Sequence, residues 1–311
     1  MRLILILSLL LFNLSVIGQQ NTFIRTYNLP GMNGGLALAV MEDGGFVGTG
    51  QHHDPGFGDC RIYVYRIDEC GNIIWFNLYG DYGGGMAIDG TYDNGVVIAA
   101  YPGAILKLDS LGNPEWHKTY SSVDGNFMTS VIQTTDSGYF AGGQNGQLLK
   151  LDNLGDVVWS ANVSGTSIHA LDEFPNGDLM YFSWDGGSFW VGRVSPLGIL
   201  IWENQYSSGG SGESHNDWAG EALIDTNLSQ IVVASNSSNN SGDVLVTSID
   251  YNGNIITFIS GLPKPSAAEM RFLLEMDLPS TTFTSSWSTV PCTASEYCIV
   301  GNRPFSDGSL P

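Results

Sequence analysis

The feature that most constrains this chain is a short motif that returns at a fixed interval. It reads Asp-x-x-Gly-x-x-x-Trp in "IDECGNIIW", "LDSLGNPEW" and "LDNLGDVVW", and recurs in altered form in "VSPLGILIW" and "IDYNGNIIT". The glycines are Gly71, Gly112, Gly155, Gly198 and Gly253, spaced 41, 43, 43 and 55 residues apart. Asp68, Asp109, Asp152 and Asp250 stand three residues before the glycine, with Ser195 in the fourth copy. Trp75, Trp116, Trp159 and Trp202 follow four residues after it, and Thr257 takes that place in the last copy.

A second turn signal precedes each of the first four copies. "EDGGF", "YDNGV", "TDSGY" and "PNGDL" are Asp/Asn-Gly turns between apolar runs and mark hairpins. The third copy thus predicts four strands, starting at Phe127, Tyr139, Gln147 and Val157. Between the last two, Asp152 accepts bonds from nearby backbone N–H groups and Gly155 supplies a positive φ. The indole, early on the outer strand, would cover the neighbouring sheet, burying roughly 200 Å². A four-stranded unit every forty-odd residues predicts an all-β β-propeller. Forty glycines and a charged fraction of only 14% fit many short strands joined by tight turns.

The residues "KLDSLGNPEWHKTY" and "TTDSGYFAGG" resemble repeats of secreted, Bacteroidota-type bacterial β-propellers. The Gly-x-x-x-Trp spacing is also similar to the tryptophan-docking repeat of quinoprotein-like propellers. The resemblance covers about residues 21–259. The quinone- and metal-binding residues of quinoprotein dehydrogenases have no match here, so it implies a fold and not that activity.

Six blades are expected, or seven or more should the chain continue past Pro311. "NTFIRTYNLPG" aligns with the outer-strand segment "PEWHKTYSSVDG", so Thr22–Tyr27 would complete the last blade. The tail would supply that blade's inner strands through "MRFLLEMD", "TTFTSSWS" and "EYCIVGNR", removing a free edge. Residues 1–18 read as a signal peptide: Arg2, an apolar run from Leu3 to Phe12, and small Val16 and Gly18 before a cut at Gln19. Residues 19–311 then form the propeller of a secreted or cell-surface protein, and no segment is apolar for long enough to suggest a membrane span. Cys292 and Cys298 are placed to bridge a hairpin. Cys60 and Cys70, at opposite ends of one predicted strand, lie beyond disulfide reach of each other, and their state stays open.

A net charge of −20 disfavours nucleic acid and anionic lipid. The long polar connections fall on one face, which carries "GQHHDPGFGD", "YGDYGGG", "WDGG" and "SSGGSGESHNDW". Candidate ligand-binding residues there are His52, His53, Asp54, Asp81, Trp184, Asp185, His215, Asp217 and Trp218. A metal site from the histidines with Asp54 and Asp217 is weighed and set aside, because adjacent histidines on a loop rarely share one ion. Calcium on Asp81, Asp185, Asp217 and Glu213 is the one cofactor considered, without an EF-hand pattern to support it. The periodic aspartates have a structural job once per blade. His117 and His169 read as strand residues on blade surfaces. Of the exposed aromatics Tyr82, Trp184, Phe189, Trp190 and Trp218, at least half are expected in blade packing. No nucleophile elbow or arginine cluster appears, so the reading is a monomeric, non-enzymatic module binding a protein or carbohydrate. The alternative is a carbohydrate-active enzyme with two carboxylates at the channel mouth.

Overall fold

A computed structural model describes residues 32–53, 60–80, 83–120, 127–185, 188–206, 215–237, 244–262, 287–293 and 296–301. Five four-stranded antiparallel sheets follow one another along the chain, each in simple up-and-down order. The first holds β1 (Met32–Val40), β2 (Phe46–His53), β3 (Cys60–Ile67) and β4 (Ile73–Tyr79). The second holds β5 (Gly84–Gly90), β6 (Val96–Tyr101), β7 (Ala104–Leu108) and β8 (Pro114–Thr119). The third holds β9 (Met128–Gln133), β10 (Tyr139–Gly143), β11 (Gln147–Leu151) and β12 (Val157–Asn162), within a residue of the strand starts that the sequence predicts. The fourth holds β13 (Ser167–Glu173), β14 (Leu179–Trp184), β15 (Phe189–Val194) and β16 (Leu200–Tyr206). The fifth holds β17 (His215–Asp225), β18 (Gln230–Ser237), β19 (Val244–Asp250) and β20 (Ile255–Leu262).

A two-stranded sheet ends the described chain: β21 (Trp287–Thr293) and β22 (Glu296–Gly301). The first strands of successive sheets are neighbours, β1 beside β5, β5 beside β9, β9 beside β13 and β13 beside β17, and β21 returns to β1. Sheets stacked in this way around shared inner strands form a β-propeller. The expected sixth blade is represented by β21 and β22. Thr22–Tyr27 and "MRFLLEMD" lie outside the described residues. β21 begins at Trp287, at the end of the segment expected to be that blade's second strand.

The core is a series of layers between sheets, not one centre. Met41, Val47, Ile62 and Val64 of the first sheet meet Ile88, Ile98 and Leu106 of the second. Further layers join the second sheet to the third, the third to the fourth and the fourth to the fifth. Alternation along the strands supplies one apolar face to each neighbour, so flat sheets stack face to face.

The repeated motif builds the lock between blades. At each turn the glycine N–H donates to the carbonyl of the residue three before it, at 2.9–3.0 Å. One carboxylate oxygen of Asp68, Asp109, Asp152 or Asp250 accepts two further backbone N–H groups; Ser195 Oγ accepts one, from Ile199. The five glycines have φ between +76° and +86°. The indoles of Trp75, Trp116, Trp159 and Trp202 lie against Gly112, Gly155, Gly198 and Gly253 of the following sheet. A Cβ there would sit 2.9–3.1 Å from ring carbons. Trp75, Trp159 and Trp202 also donate their ring N–H to carbonyls of that turn, at 3.2, 2.9 and 3.0 Å. The glycine therefore has two duties, left-handed backbone and close approach, of which the sequence reading anticipated only the first.

A second repeated device lies beneath the turns. Arg66, Lys107, Lys150 and Arg193 stand two residues before Asp68, Asp109, Asp152 and Ser195. Each pairs with the acid of its own sheet's first turn: Asp43, Asp93, Asp136 and Asp178, at 2.7–2.8 Å. Arg66, Lys107 and Lys150 are buried, at 6%, 2% and 4% exposure.

Candidate functional site

The two ends of the propeller differ in construction. On one, the connections are four or five residues long in each of the five four-stranded sheets: 41–45, 91–95, 134–138, 174–178 and 226–229 between first and second strands, 68–72, 109–113, 152–156, 195–199 and 251–254 between third and fourth. On the other, the connections are 54–59, 102–103, 144–146, 185–188 and 238–243 within sheets, and 80–83, 120–127, 163–166 and 207–214 between them. They run from two to eight residues.

The variable end carries the candidate residues, but not all as loop. The stretch expected as a loop from Gly50 is strand as far as His53, and His52 is buried at 4% exposure, facing Arg61 across the ladder. His53 is paired with Cys60, and its Nε2 lies 3.7 Å from the Cys60 Sγ. Cys60 and Cys70 are free thiols, and burial raises the Cys60 pKa. His215, Asp217 and Trp218 belong to β17, the inner strand, not to the preceding loop. The ladder with β18 is interrupted between His215 and Gly220. The side chains of these three residues, and Asp54, Asp81, Tyr82 and Glu213, lie outside the described residues. So do the side chains of Cys292 and Cys298, whose backbones belong to the β21–β22 hairpin.

The best-defined group is on the fourth blade. Trp184 closes β14, and its indole N–H is buried without a hydrogen-bond partner. Asp185 follows and accepts from the Ser188 N–H at 3.2 Å, the Trp190 ring N–H at 3.0 Å and the Gln205 amide at 3.4 Å. Phe189 is buried and stacked on Tyr206 with centroids 5.3 Å apart, so it serves blade packing. Trp184 packs against the core between the fourth and fifth blades, so at this hairpin mouth the hydrogen-bonded pair is Asp185 and Trp190. Among the described residues no group of three or more His, Cys, Asp or Glu side chains is arranged to hold a metal ion.

The inner strands hold acids that the sequence reading missed. Asp89 accepts from the Gln133 N–H of the next blade at 3.1 Å, and Asp172 from the Ile224 N–H at 2.7 Å. Burial raises both pKa values, that of Asp89 to about 6, with the charge of Asp172 adding a smaller push. Glu173 likewise takes the Thr135 N–H and hydroxyl, both at 2.7 Å. These carboxylates fasten one inner strand to the next. His169, expected on a blade surface, is on the inner strand β13, where the ladder breaks between Ile168 and Ala170. Its Nε2 is buried without a partner, and burial lowers its pKa. His117 is on the outer strand β8, as expected.

No protein-family profile matches the chain, and no curated protein matches it in sequence. Solved structures share its fold. A protein from Lactobacillus plantarum is similar over 76% of this chain and 73% of its own, with a TM-score of 0.58 and 12% identity. Sqt1 from Chaetomium thermophilum, bound to the N-terminus of the ribosomal protein L10, is similar over 74% of this chain and 64% of its own, with a TM-score of 0.53 and 12% identity. The Dos1 propeller is similar over 76% and 62%, with a TM-score of 0.50 and 11% identity. At such identities the likeness establishes the β-propeller fold. It lends no support to the carbohydrate-active alternative.

Proposed function

We propose that the chain is an exported, non-enzymatic binding or scaffold module. Its ligand, a protein or a glycan, contacts the end with variable connections. The observation that carries this reading is the contrast between the two ends. Turns of nearly constant length with repeated bonds hold the blades together, while connections of two to eight residues decorate the other end. A rigid frame with variable loops is the usual arrangement for recognition. The hairpin mouth of Asp185 and Trp190 offers an aromatic ring and a carboxylate at that end. Sqt1, a structure of similar fold, holds the N-terminus of another protein, which favours a protein ligand.

The test is a pull-down against glycan arrays and a lysate of the source cell, using the chain that starts at Gln19. The expected result is retention of a ligand that is lost when the connection 207–214 is shortened to the four residues found at 163–166. Retention unchanged by that variant moves the site away from this end. Export predicts that chain expressed with residues 1–18 is recovered outside the cytoplasm with Gln19 at its N-terminus.

A further inference from the structure

The constant end also holds an unfinished place. Asp68, Asp109 and Asp250 each have their second carboxylate oxygen held by the side-chain amide of Asn72, Asn113 or Asn254, at 2.8–2.9 Å. In the third blade the corresponding residue is Asp156, so Asp152 lacks this clamp. Asp156 turns instead to Lys118 of the second blade, at 2.6 Å. Asp152 opens onto a cavity of about 240 Å³ between the third and fourth blades, walled by Val158 and Pro196 and floored by Asp136 and Lys150. Lys150 is fully engaged there, with Thr134 and Asp136 each at 2.8 Å.

Val158, which lines the cavity, is 61% exposed, and Leu197 and Ile199, which follow the cavity-lining Pro196 in the fourth-blade turn, are 79% and 64% exposed. β12 is the last strand of its sheet and leaves one edge of backbone groups unpaired. The outer strand β8 of the second blade is guarded by Pro114, Glu115 and Lys118, the usual protection of a sheet edge. β12 has no proline and no charge, as is also true of β4 of the first blade, but only β12 adjoins the cavity and the unclamped Asp152. A carboxylate without its clamp, a cavity and an unguarded apolar edge therefore coincide at one place.

We infer that this edge of the third blade docks an extended segment of a partner protein in which Lys or Arg alternates with apolar residues. The cation enters the cavity beside Asp152, and the apolar residues cover Val158, Leu197 and Ile199. Charge chooses this occupant. The chain carries a net charge of −20, which opposes a second copy of itself and an acidic segment alike. An extended segment can use the free backbone edge as well as the side-chain surface, the mode of strand addition. The surface lies at the opposite end from the proposed ligand face, so the two readings stand or fall separately.

The experiment uses the chain from Gln19 at physiological salt, with fluorescent hexapeptides of alternating valine and lysine, alternating valine and glutamate, and alternating serine and lysine as probes. The valine–lysine peptide is expected to bind, and the other two to bind at least tenfold more weakly, roughly the worth of one partly buried charge pair or the lost apolar cover. Asp152→Asn keeps an oxygen for the Leu154 and Asp156 N–H groups, so its turn survives while the charge goes. It is expected to weaken binding about tenfold, whereas Asp109→Asn leaves it unchanged. Val158→Ser supplies a second, independent loss. Equal affinities for Asp109→Asn and Asp152→Asn, equal binding of the serine peptide, or no binding of the valine–lysine peptide overturns the inference.

Discussion

Trp75 lies on Gly112 of the next blade, with Cε3 only 3.1 Å from where a Cβ would stand and the indole N–H donating to the Ser110 carbonyl at 3.2 Å. Tyr79 adds a hydroxyl bond to the Gly112 carbonyl at 2.6 Å. The Asn77 amide donates to the same carbonyl at 3.4 Å, so four groups of one strand converge on a single turn: the ring, its N–H, the amide and the phenol. The same pair recurs as Trp202 on Gly253, with Asn204 and Tyr206 bonding that glycine's carbonyl. Blade-to-blade order in this chain is carried by glycine as much as by tryptophan.

Gly112→Ala is accordingly expected to cost about 3 kcal/mol. The left-handed backbone contributes roughly 1–2 kcal/mol, and pressing a methyl into the indole contributes a further 1–3 kcal/mol. Gly44 has a φ of +79° but meets only the Glu69 side chain, 3.9 Å away. Gly44→Ala should therefore show the backbone part alone. Urea unfolding of the two variants measures the difference, and equal losses would mean that the tryptophan contact contributes nothing.

Lys150 and Asp136 should respond unequally to substitution. Lys150 is 4% exposed, while the side chain of Asp136 is 62% exposed. Lys150→Met replaces a buried cation by an apolar chain of similar volume and leaves an acid that water can solvate. Its cost is expected to stay below about 1.5 kcal/mol. Asp136→Asn keeps the oxygen that accepts from the Gly138 N–H and from Lys150, but leaves Lys150 with neutral oxygen partners only. Stranding a buried charge costs roughly 3–5 kcal/mol. Denaturant midpoints of the two variants and of the double variant test the ordering, and the double variant should recover much of the Asp136→Asn loss.

These two devices were unequally visible in the sequence. The turn and the indole stand out because Asp, Gly and Trp recur at fixed offsets and each has a narrow set of backbone or packing uses. Arg66, Lys107, Lys150 and Arg193 also recur, two residues before the turn acid, and that spacing could have been read. They escaped because a cation in an alternating strand normally faces water, and only the stacking of sheets shows these to be covered. Asp89 and Asp172 recur in alternate blades only, and their partners are backbone N–H groups of the next blade, which sequence cannot name. His52 was expected in a loop because the Gly/Pro-rich run begins nearby, but the pairing of β2 with β3 extends the strand through it.

Asp89 gives the chain an unusual response to mild acid. Its pKa rises from an ordinary 3.8 to about 6 on folding, so between those values the folded state holds the proton more tightly than the unfolded state. Stability from this group is therefore greatest below about pH 4 and is lost as pH rises through about 6, by roughly 3 kcal/mol at most. Asp172 is shifted in the same direction, whereas His169, with a lowered pKa, acts oppositely below its unfolded value of 6.5. Asp89→Asn isolates one group from the other two. The amide oxygen still accepts from the Gln133 N–H, and no charge is buried. The variant should match the natural chain near pH 4 and exceed its stability by about 2–3 kcal/mol at pH 7.5, the gap opening between pH 4 and 6.5. Denaturation at half-unit pH steps reads that gap, and a difference that stays flat across the range would show that Asp89 carries no strained charge.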